Sequence, residues 1–222
     1  MILNGFRKKA AWFLLFISLF GVSLHAAEKI AISDKLIVFV ENKYGTSAKQ
    51  RVVNWQKLID SSQNASVSEK LKLANDFFNQ VRFVSDLEHW GVDDYWATPV
   101  EMLATNGGDC EDFSIGKYFT LIAMGIPEEK LRITYVKALK YNLAHMVLAY
   151  YETPDADPLV LDNLNKAILP ASSRDDLLPI YSFNGSGLWL AKERGGGRRV
   201  GGSDRLHLWT DLIRKMNAEA NE

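Results

Sequence analysis

The chain lacks three features that would each indicate a particular class of protein. It has one cysteine in 222 residues, so no disulfide can form within it. Its main apolar run, residues 10–24, is shorter than the ~20 residues that a membrane-spanning helix needs. Basic and acidic residues number 26 and 27, which excludes the strong positive charge of a nucleic-acid-binding surface. With 47% hydrophobic and 24% charged residues, the sequence indicates a folded globular protein.

The N-terminus has the pattern of a secretory signal. Three basic residues at positions 7–9 precede the apolar run, which ends in the small residues Ala26 and Ala27. We therefore predict a signal peptide over residues 1–26 and one exported domain over residues 27–222, with a retained N-terminal anchor as the alternative. Removal of the peptide would leave 23 basic and 27 acidic residues, and this net charge of −4 argues against nucleic acid as a partner.

The spacing of apolar residues predicts helices first and strands afterwards. Three helices fit residues 30–84, a loop with a short helix over 99–104 follows, and a further helix covers Asp109–Met124. The period then changes to that of strands, which we expect at Leu131–Leu139, Ala144–Tyr151, Leu159–Asp162 and Leu188–Leu190. The segment Gly195–Gly202, rich in glycine, is expected to be a mobile surface loop. The pattern predicts an α+β fold with an antiparallel sheet.

The single thiol lies where a reactive cysteine would be placed. Cys110 follows Gly107 and Gly108 and begins a predicted helix, whose free N–H groups and dipole favour a thiolate. The two glycines would let the backbone turn tightly and another chain approach. A buried cysteine acting as a small hydrophobic residue is the alternative. A reactive cysteine would also need a general base.

Three histidines beyond the signal peptide could supply that base: His89, His145 and His207. His145 lies in an apolar predicted strand, and the next strand ends in Asp162. Taken singly, His145 could be a core residue and Asp162 a turn former. Taken together, a cysteine on a helix, a histidine on one strand and an aspartate on the next form the order of a Cys-His-Asp site, with Cys110 as nucleophile, His145 as base and Asp162 as the residue that orients it.

These segments resemble the bacterial transglutaminase-like cysteine proteinases, in particular the LapG-type periplasmic proteases. The matching stretches are Gly107-Gly108-Asp109-Cys110-Glu111-Asp112, Ala144-His145-Met146-Val147-Leu148 and Leu161-Asp162-Asn163. The resemblance implies a papain/transglutaminase-like fold, with N-terminal helices and a central cysteine-bearing helix packed on an antiparallel sheet. It also implies a periplasmic endopeptidase that cuts a large biofilm adhesin near its N-terminus, needs calcium, and is inhibited by an inner-membrane cyclic di-GMP receptor of the LapD type.

The residues themselves favour the calcium requirement. Asp109, Glu111 and Asp112 surround Cys110 with negative charge, which raises a thiol pKa unless a cation neutralises it. Carboxylate oxygens suit Ca²⁺, although the spacing is not that of an EF-hand. The alternative is that these acids complement the helix N-terminus without binding a metal.

Two other functions fit the same residues. A Cys-His-Asp site forms a thioester that an amine can resolve instead of water, which would make the protein an acyl transferase. A non-catalytic binding module could also have this fold, although the complete set of three residues argues against it.

Overall fold

The computed structural model describes residues 32–192 and 195–220. The predicted signal peptide lies outside these residues, so its presence and the start of the domain at residue 27 stay predictions. Within the described ranges, no helix is long and apolar enough to cross a membrane.

The first part of the chain is helical, as predicted. Its helices are α1 (Asp34–Tyr44), α2 (Thr46–Ser61) and α3 (Val67–Phe78). The side chains of Ser33 and Ser66 accept hydrogen bonds from the first-turn backbone of α1 and α3, which satisfies N–H groups that a helix leaves unpaired. The helices bury Val52, Trp55 and Phe78 against one another and against the next helices along the chain.

Short elements connect this helical part to the cysteine. They are β1 (Arg82–Phe83), α4 (Asp86–His89), α5 (Pro99–Thr105) and β2 (Gly107–Gly108). The strands β1 and β2 pair in parallel, with Phe83 opposite Gly108, and Val84 N–H donates to Gly108 O at 3.0 Å. This pairing places the start of α4 beside the residues that precede the cysteine. The sequence predicts α5, whereas α4 and the β1–β2 pair are too short to produce a periodic pattern.

Helix α6 (Cys110–Ala123) is followed by the main sheet and a final helix. The strands are β3 (Leu131–Ala138), β4 (Leu143–Tyr150), β5 (Leu159–Leu161), β6 (Leu169–Pro170), β7 (Leu177–Asn184), β8 (Gly187–Lys192) and β9 (Gly195–Gly201), and the helix is α7 (His207–Glu219). The strand order is β6-β5-β4-β3-β7-β8-β9, with antiparallel neighbours. The predicted α+β class is therefore confirmed.

Helix α6 lies between the N-terminal helices and the sheet. Ile115 and Leu121 pack in one core cluster with sheet residues such as Leu148, while Phe113 packs in a second cluster with α2 and α3. Gly116 lies against the ring of Phe78, where a larger side chain would collide. Because both faces of α6 are buried, its first residue is held in a fixed position relative to β4.

The predicted mobile loop over Gly195–Gly202 is wrong, because most of it forms strand β9. This strand pairs with β8, where Arg198 lies opposite Leu190 and Arg199 opposite Trp189. Gly197 has a φ of 63°, which glycine adopts readily, and the register shifts along this pair. Without β9, β8 would be the edge strand of the sheet and would expose unpaired backbone N–H and C=O groups. The backbone of the glycine-rich segment forms hydrogen bonds with these groups.

Helix α7 closes one side of the molecule and holds the segment before α5. Trp209 is buried against the rings of Tyr118, Phe119 and Phe183. Lys215 Nζ donates to Trp96 O at 2.7 Å, so the helix also fixes the chain that leads to α5.

We expect Trp209→Ala to lower the free energy of unfolding by about 3–5 kcal/mol, because it removes a large buried side chain and leaves a cavity. Urea denaturation monitored by circular dichroism measures the change. Leu178→Ala is the control, since Leu178 is 48% exposed and its loss should cost about 0.5 kcal/mol or less. Equal losses for the two variants would contradict the role of Trp209 as the anchor of α7.

Candidate active site

The backbone before Cys110 is shaped by one asparagine and two glycines. Asn106 ends α5 in the left-handed region, with φ 55° and ψ 42°. Gly108 is needed for space, because a Cβ atom there would lie 2.6 Å from Asp112 Oδ2. A Cβ on Gly107 would lie 2.8 Å from Val84. The glycines therefore make room for inward-facing side chains, and the expected tight turn is made by Asn106 instead.

Cys110 begins α6 as predicted, but its thiol is held by an acid. Its Sγ lies 3.1 Å from Glu111 Oε2, and in the described part of the chain its hydrogen bond runs there rather than to His145. Burial, then the charge and hydrogen bond of Glu111, then the charge of Asp109, raise the pKa of the thiol well above its usual value. The expectation that the helix N-terminus would favour a thiolate does not hold in this arrangement.

The thiol lies against the strand that carries His145. The backbone N–H of Met146, the next residue on β4, donates to the sulfur and opposes the rise in the pKa of the thiol. Helix α6 and strand β4 are packed together around this point. The structure thus brings the Cys110 sulfur to the backbone position adjacent to His145.

His145 and Asp162 form a buried pair. His145 Nε2 lies 2.8 Å from Asp162 Oδ1, and the two side chains are 4% and 0% exposed. Their positions follow from the sheet, because His145 lies on β4 and Asp162 follows β5, the neighbouring antiparallel strand. A hydrogen bond from Nε2 to a carboxylate leaves Nδ1 as the nitrogen that can accept a proton.

Asp162 has further donors around it. Leu164 N–H donates to Oδ1 at 2.9 Å, and Arg174 Nη2 donates to Oδ2 at 2.7 Å. Burial raises the pKa of Asp162, but the hydrogen bond and charge of His145 and the hydrogen bond of Arg174 outweigh it and hold that pKa at about 2. The carboxylate is therefore ionised throughout the physiological pH range.

The acids predicted as metal ligands gather into one cluster with two more. Asp86, Asp109 and Asp112 have carboxylate oxygens within 4.8 Å of one another, as do Asp86, Asp94 and Glu111. Asp86 reaches the cluster through the β1–β2 pair, and Tyr95 N–H fixes its Oδ2 at 2.6 Å. The alternative that the acids only complement the helix N-terminus does not account for Asp86 and Asp94, which come from other elements.

This cluster has the properties of a site for a hard divalent cation. The Oδ1 atoms of Asp86 and Asp109 are buried without a hydrogen-bond partner among the described residues. Burial, with the charge of Glu111 as the next cause, raises the pKa of Asp109 to about 8, and burial raises that of Asp86 to about 6. A bound cation would relieve the repulsion between these closely spaced carboxylates, and carboxylate oxygens suit Ca²⁺ as ligands.

The other candidate histidines lie elsewhere. His89 Nε2 is 2.9 Å from Thr105 Oγ1, and its ring packs edge-on against Trp90. His207 is the first residue of α7. Of the three candidates for the base, only His145 forms a hydrogen bond with a buried carboxylate within the described ranges.

Comparison with known proteins identifies the family. The sequence profile described as bacterial transglutaminase-like cysteine proteinase BTLCP matches residues 42–189, about two thirds of the chain. This protein belongs to that family. A comparison with curated proteins finds no match.

Solved structures of LapG from Legionella pneumophila are similar to this chain over more than four fifths of its length. The EGTA-treated form is 46% identical, with a TM-score of 0.74 over 82% of this chain and 96% of that one. The calcium-bound form is also 46% identical, with a TM-score of 0.71 over 83% and 99%. The predicted transglutaminase-like fold is thereby confirmed, and the chain is a member of a family of cysteine proteinases.

Three residues of this family member were not predicted from its sequence. Asp86 and Asp94 lie in a stretch whose sequence has no sustained periodicity, and the approach of Asp86 to Asp109 depends on the β1–β2 pair. Arg174 stands 12 residues after Asp162, and its contact with Asp162 depends on the turn before β7. An unusual density of acids between positions 86 and 94 was the only signal in the sequence for the first two.

We expect the free energy of unfolding of the chelator-treated protein to fall as the pH rises from about 5 to about 8. The raised pKa values of Asp86 and Asp109 mean that the folded state holds protons that the unfolded state, with carboxyl pKa values near ~4, has released. Their stabilising effect is complete below the unfolded values and is lost as the pH rises through about 6 and about 8. Urea denaturation at three pH values measures this slope.

Asp109→Asn is the matched variant for this measurement, because it removes one ionisation and leaves a side chain of the same shape. Its slope between pH 6 and 8 should be shallower than that of the unmodified chain. A free energy of unfolding that stays level or increases over this range would contradict the repulsion between the carboxylates.

Proposed function

We propose that this protein is a calcium-dependent periplasmic cysteine endopeptidase that cuts the N-terminal region of a large cell-surface adhesin between small residues. Cutting would release the adhesin and promote biofilm dispersal. The observation that carries the proposal is the buried His145–Asp162 hydrogen bond, on the strand whose Met146 backbone interacts with the Cys110 sulfur, in a chain 46% identical to LapG. Export to the periplasm rests on the predicted signal peptide.

In this mechanism Cys110 is the nucleophile and His145 the base. His145 Nδ1 takes the thiol proton, and the sulfur attacks the scissile carbonyl carbon. The C–N bond then breaks, the leaving amine takes the proton from His145, and a thioester remains on Cys110. Water, deprotonated by His145, hydrolyses the thioester and frees the enzyme. Asp162 keeps Nε2 protonated and stabilises the imidazolium at each step.

The carboxylate cluster would hold the cation. Asp109, Glu111 and Asp112 are the proposed ligands, with Asp86 and Asp94 beside them. A bound Ca²⁺ supplies positive charge next to carboxylates that otherwise oppose the thiolate. Glu111 is the residue whose contact with the thiol would have to loosen before His145 can take the proton.

The substrate and the regulator are proposed from the resemblance to LapG-type proteases. A partly buried thiol reached by the Met146 backbone suits an extended peptide with small side chains at the cut, such as two alanines. The segment would have to be exposed and flexible, because a paired strand must first open. The inhibitory partner would be an inner-membrane cyclic di-GMP receptor of the LapD type that covers the same groove.

Acyl transfer remains the second candidate, because the same thioester can react with a lysine amine. The test below includes a primary amine for this reason. A non-catalytic module is disfavoured by the burial of His145 against a carboxylate, since taking these polar groups out of water costs free energy that binding alone does not require.

We expect the purified protein with Ca²⁺ to cut an N-terminal adhesin fragment once, and to leave it intact after Ala-Ala at the cut is changed to Arg-Arg. The larger charged side chains would not fit a groove that admits small ones. Gel electrophoresis and mass spectrometry of the products measure the cut. Cys110→Ala should give no products. Excess EGTA should stop the cutting, and added Ca²⁺ should restore it better than added Mg²⁺ does.

Three outcomes would contradict parts of this proposal. Equal cutting of both fragments would remove the requirement for small residues. Full activity in excess chelator would remove the calcium requirement. Incorporation of an added primary amine into the fragment without net hydrolysis would favour the acyl transferase.

A further inference from the structure

Asp162 contacts a buried arginine, Arg174, in addition to the histidine that it orients. Arg174 Nη2 lies 2.7 Å from Asp162 Oδ2, on the carboxylate oxygen that His145 does not use. The side chains of Arg174 and Asp162 are 2% and 0% exposed. Two charged groups have therefore been taken out of water directly behind the His145 base.

A buried ion pair is not in itself a good reason for burying an arginine. The loss of hydration is about as large as the attraction that replaces it, so an apolar pair of similar volume is often as stable. Such pairs are kept where they fix a geometry. Arg174 has a defined geometry, because its Nε and Nη2 also lie 2.8 Å from the two oxygens of Asp176.

The result is a chain of four side chains, Asp176–Arg174–Asp162–His145. Asp176 is 45% exposed, so the outer end of this chain is in contact with solvent while its inner end is buried. The planar guanidinium holds two carboxylates at once, which a lysine cannot do with the same geometry. Rotation of the Asp162 carboxylate would break the contact at Oδ2.

Other groups face Asp162, but none replaces this contact. Leu164 N–H shares Oδ1 with His145. Lys117 on α6 is buried near Asp162, and burial lowers the pKa of its amine to about 7 while the charge of Asp162 opposes that shift. An amine that is partly neutral near pH 7 is a weaker counter-charge than a guanidinium.

We propose that Arg174 is a positioning residue for the His145 base. By binding Oδ2, it fixes the plane of the Asp162 carboxylate so that Oδ1 accepts the hydrogen bond from Nε2–H. The imidazole is then held in the tautomer whose Nδ1 lone pair can take the proton of Cys110. This inference rests on the proposed protease function for its catalytic meaning, and on the contacts of Arg174 for its geometry.

Removal of the guanidinium would leave Oδ2 buried without its donor. A buried carboxylate in that condition can rotate or take up a proton, and a protonated carboxyl group can donate to Nε2 instead of accepting from it. His145 would then carry its proton on Nδ1, the nitrogen that the proposed mechanism needs as a proton acceptor. The fold would keep its shape while the base lost its function.

The test is the tautomer of His145, read by nitrogen NMR of the purified protein labelled with ¹⁵N-histidine at pH 7. The unmodified chain should show Nε2–H, and Arg174→Met should show a mixture of the two tautomers. Arg174→Lys, which keeps the charge but loses the planar fork, should lie between them. Asp162→Asn provides the reference spectrum for a histidine that has lost its carboxylate acceptor. The nitrogen signal that disappears in His145→Gln is the signal of His145.

Kinetics supply the second readout. Arg174→Met should lower kcat for the adhesin fragment by roughly 10- to 100-fold, the range typical of a partner that orients a functional imidazole, with little change in KM. Arg174→Lys should recover part of the rate. Arg214→Met is the matched control, because Arg214 forms an exposed ion pair with Asp211, and its rate and tautomer should be those of the unmodified chain.

Two results would overturn the proposal. One is an unchanged His145 tautomer and kcat in Arg174→Met. The other is an equal loss of rate and of thermal stability in Arg174→Met and Arg174→Lys with the tautomer unchanged, which would show a structural role alone. If Arg174→Met does not fold, Arg174→Lys decides between these results. If the unmodified protein cuts no adhesin fragment, the proposed function fails while the tautomer still tests the role of Arg174.

Discussion

The contact between the Cys110 thiol and the Glu111 carboxylate governs the chemistry of this site. A thiol 3.1 Å from a carboxylate gives up its proton reluctantly, and Asp86, Asp94, Asp109 and Asp112 add to the negative charge nearby. Burial, and then this charge, raise the pKa of the thiol, so the N-terminal end of α6 alone does not offset them. If Cys110 is the nucleophile, as proposed, neutralising the carboxylates would remove one of the causes that keep its thiol protonated, the other being burial.

Much of the fold serves to hold these opposing groups in place. The β1–β2 pair brings Asp86 to the start of α6, and Ala97 N–H fixes Asp112 Oδ1 at 2.7 Å. Helix α7 holds the chain around Ala97 through Lys215. The sheet carries His145 on β4 and Asp162 after β5, and the backbone of Met146 on β4 interacts with the thiol.

The sequence was sufficient to predict those parts of the fold that have a regular period. The spacing of apolar residues predicts three helices within residues 30–84, where α1 to α3 lie, and it predicts α5, α6, β3 to β5 and β8 within one or two positions of their observed ends. The strand β7 was missed because its first half is exposed and contains Pro179, so it lacks the alternation of a half-buried strand. Helix α7 was missed because it follows a glycine-rich segment and has no capping side chain.

The residues of the site also fall into a group that the sequence predicts and a group that it does not. Cys110, His145 and Asp162 could be selected from residue type and order along the chain, and the structure brings the latter two together, while their catalytic roles stay predictions. The contacts of Glu111, Asp86 and Arg174 depend on backbone positions far apart in sequence, which composition and spacing do not reveal. Burial first, and Glu111 and Asp109 after it, raise the pKa of Cys110, and for that reason the shift differs in direction from the effect expected of a helix N-terminus.

The most direct test of this account is the rate at which iodoacetamide alkylates Cys110 at pH 7, measured by mass spectrometry with Ca²⁺ and with excess EGTA. We expect slow alkylation in EGTA and a rate at least ~10-fold higher with Ca²⁺, since a shift of one pKa unit changes the thiolate fraction tenfold. Glu111→Gln should react faster than the unmodified chain in EGTA, because the thiol no longer faces a carboxylate. Equal rates with Ca²⁺ and EGTA, together with no acceleration in Glu111→Gln, would contradict the claim that these carboxylates control the nucleophile.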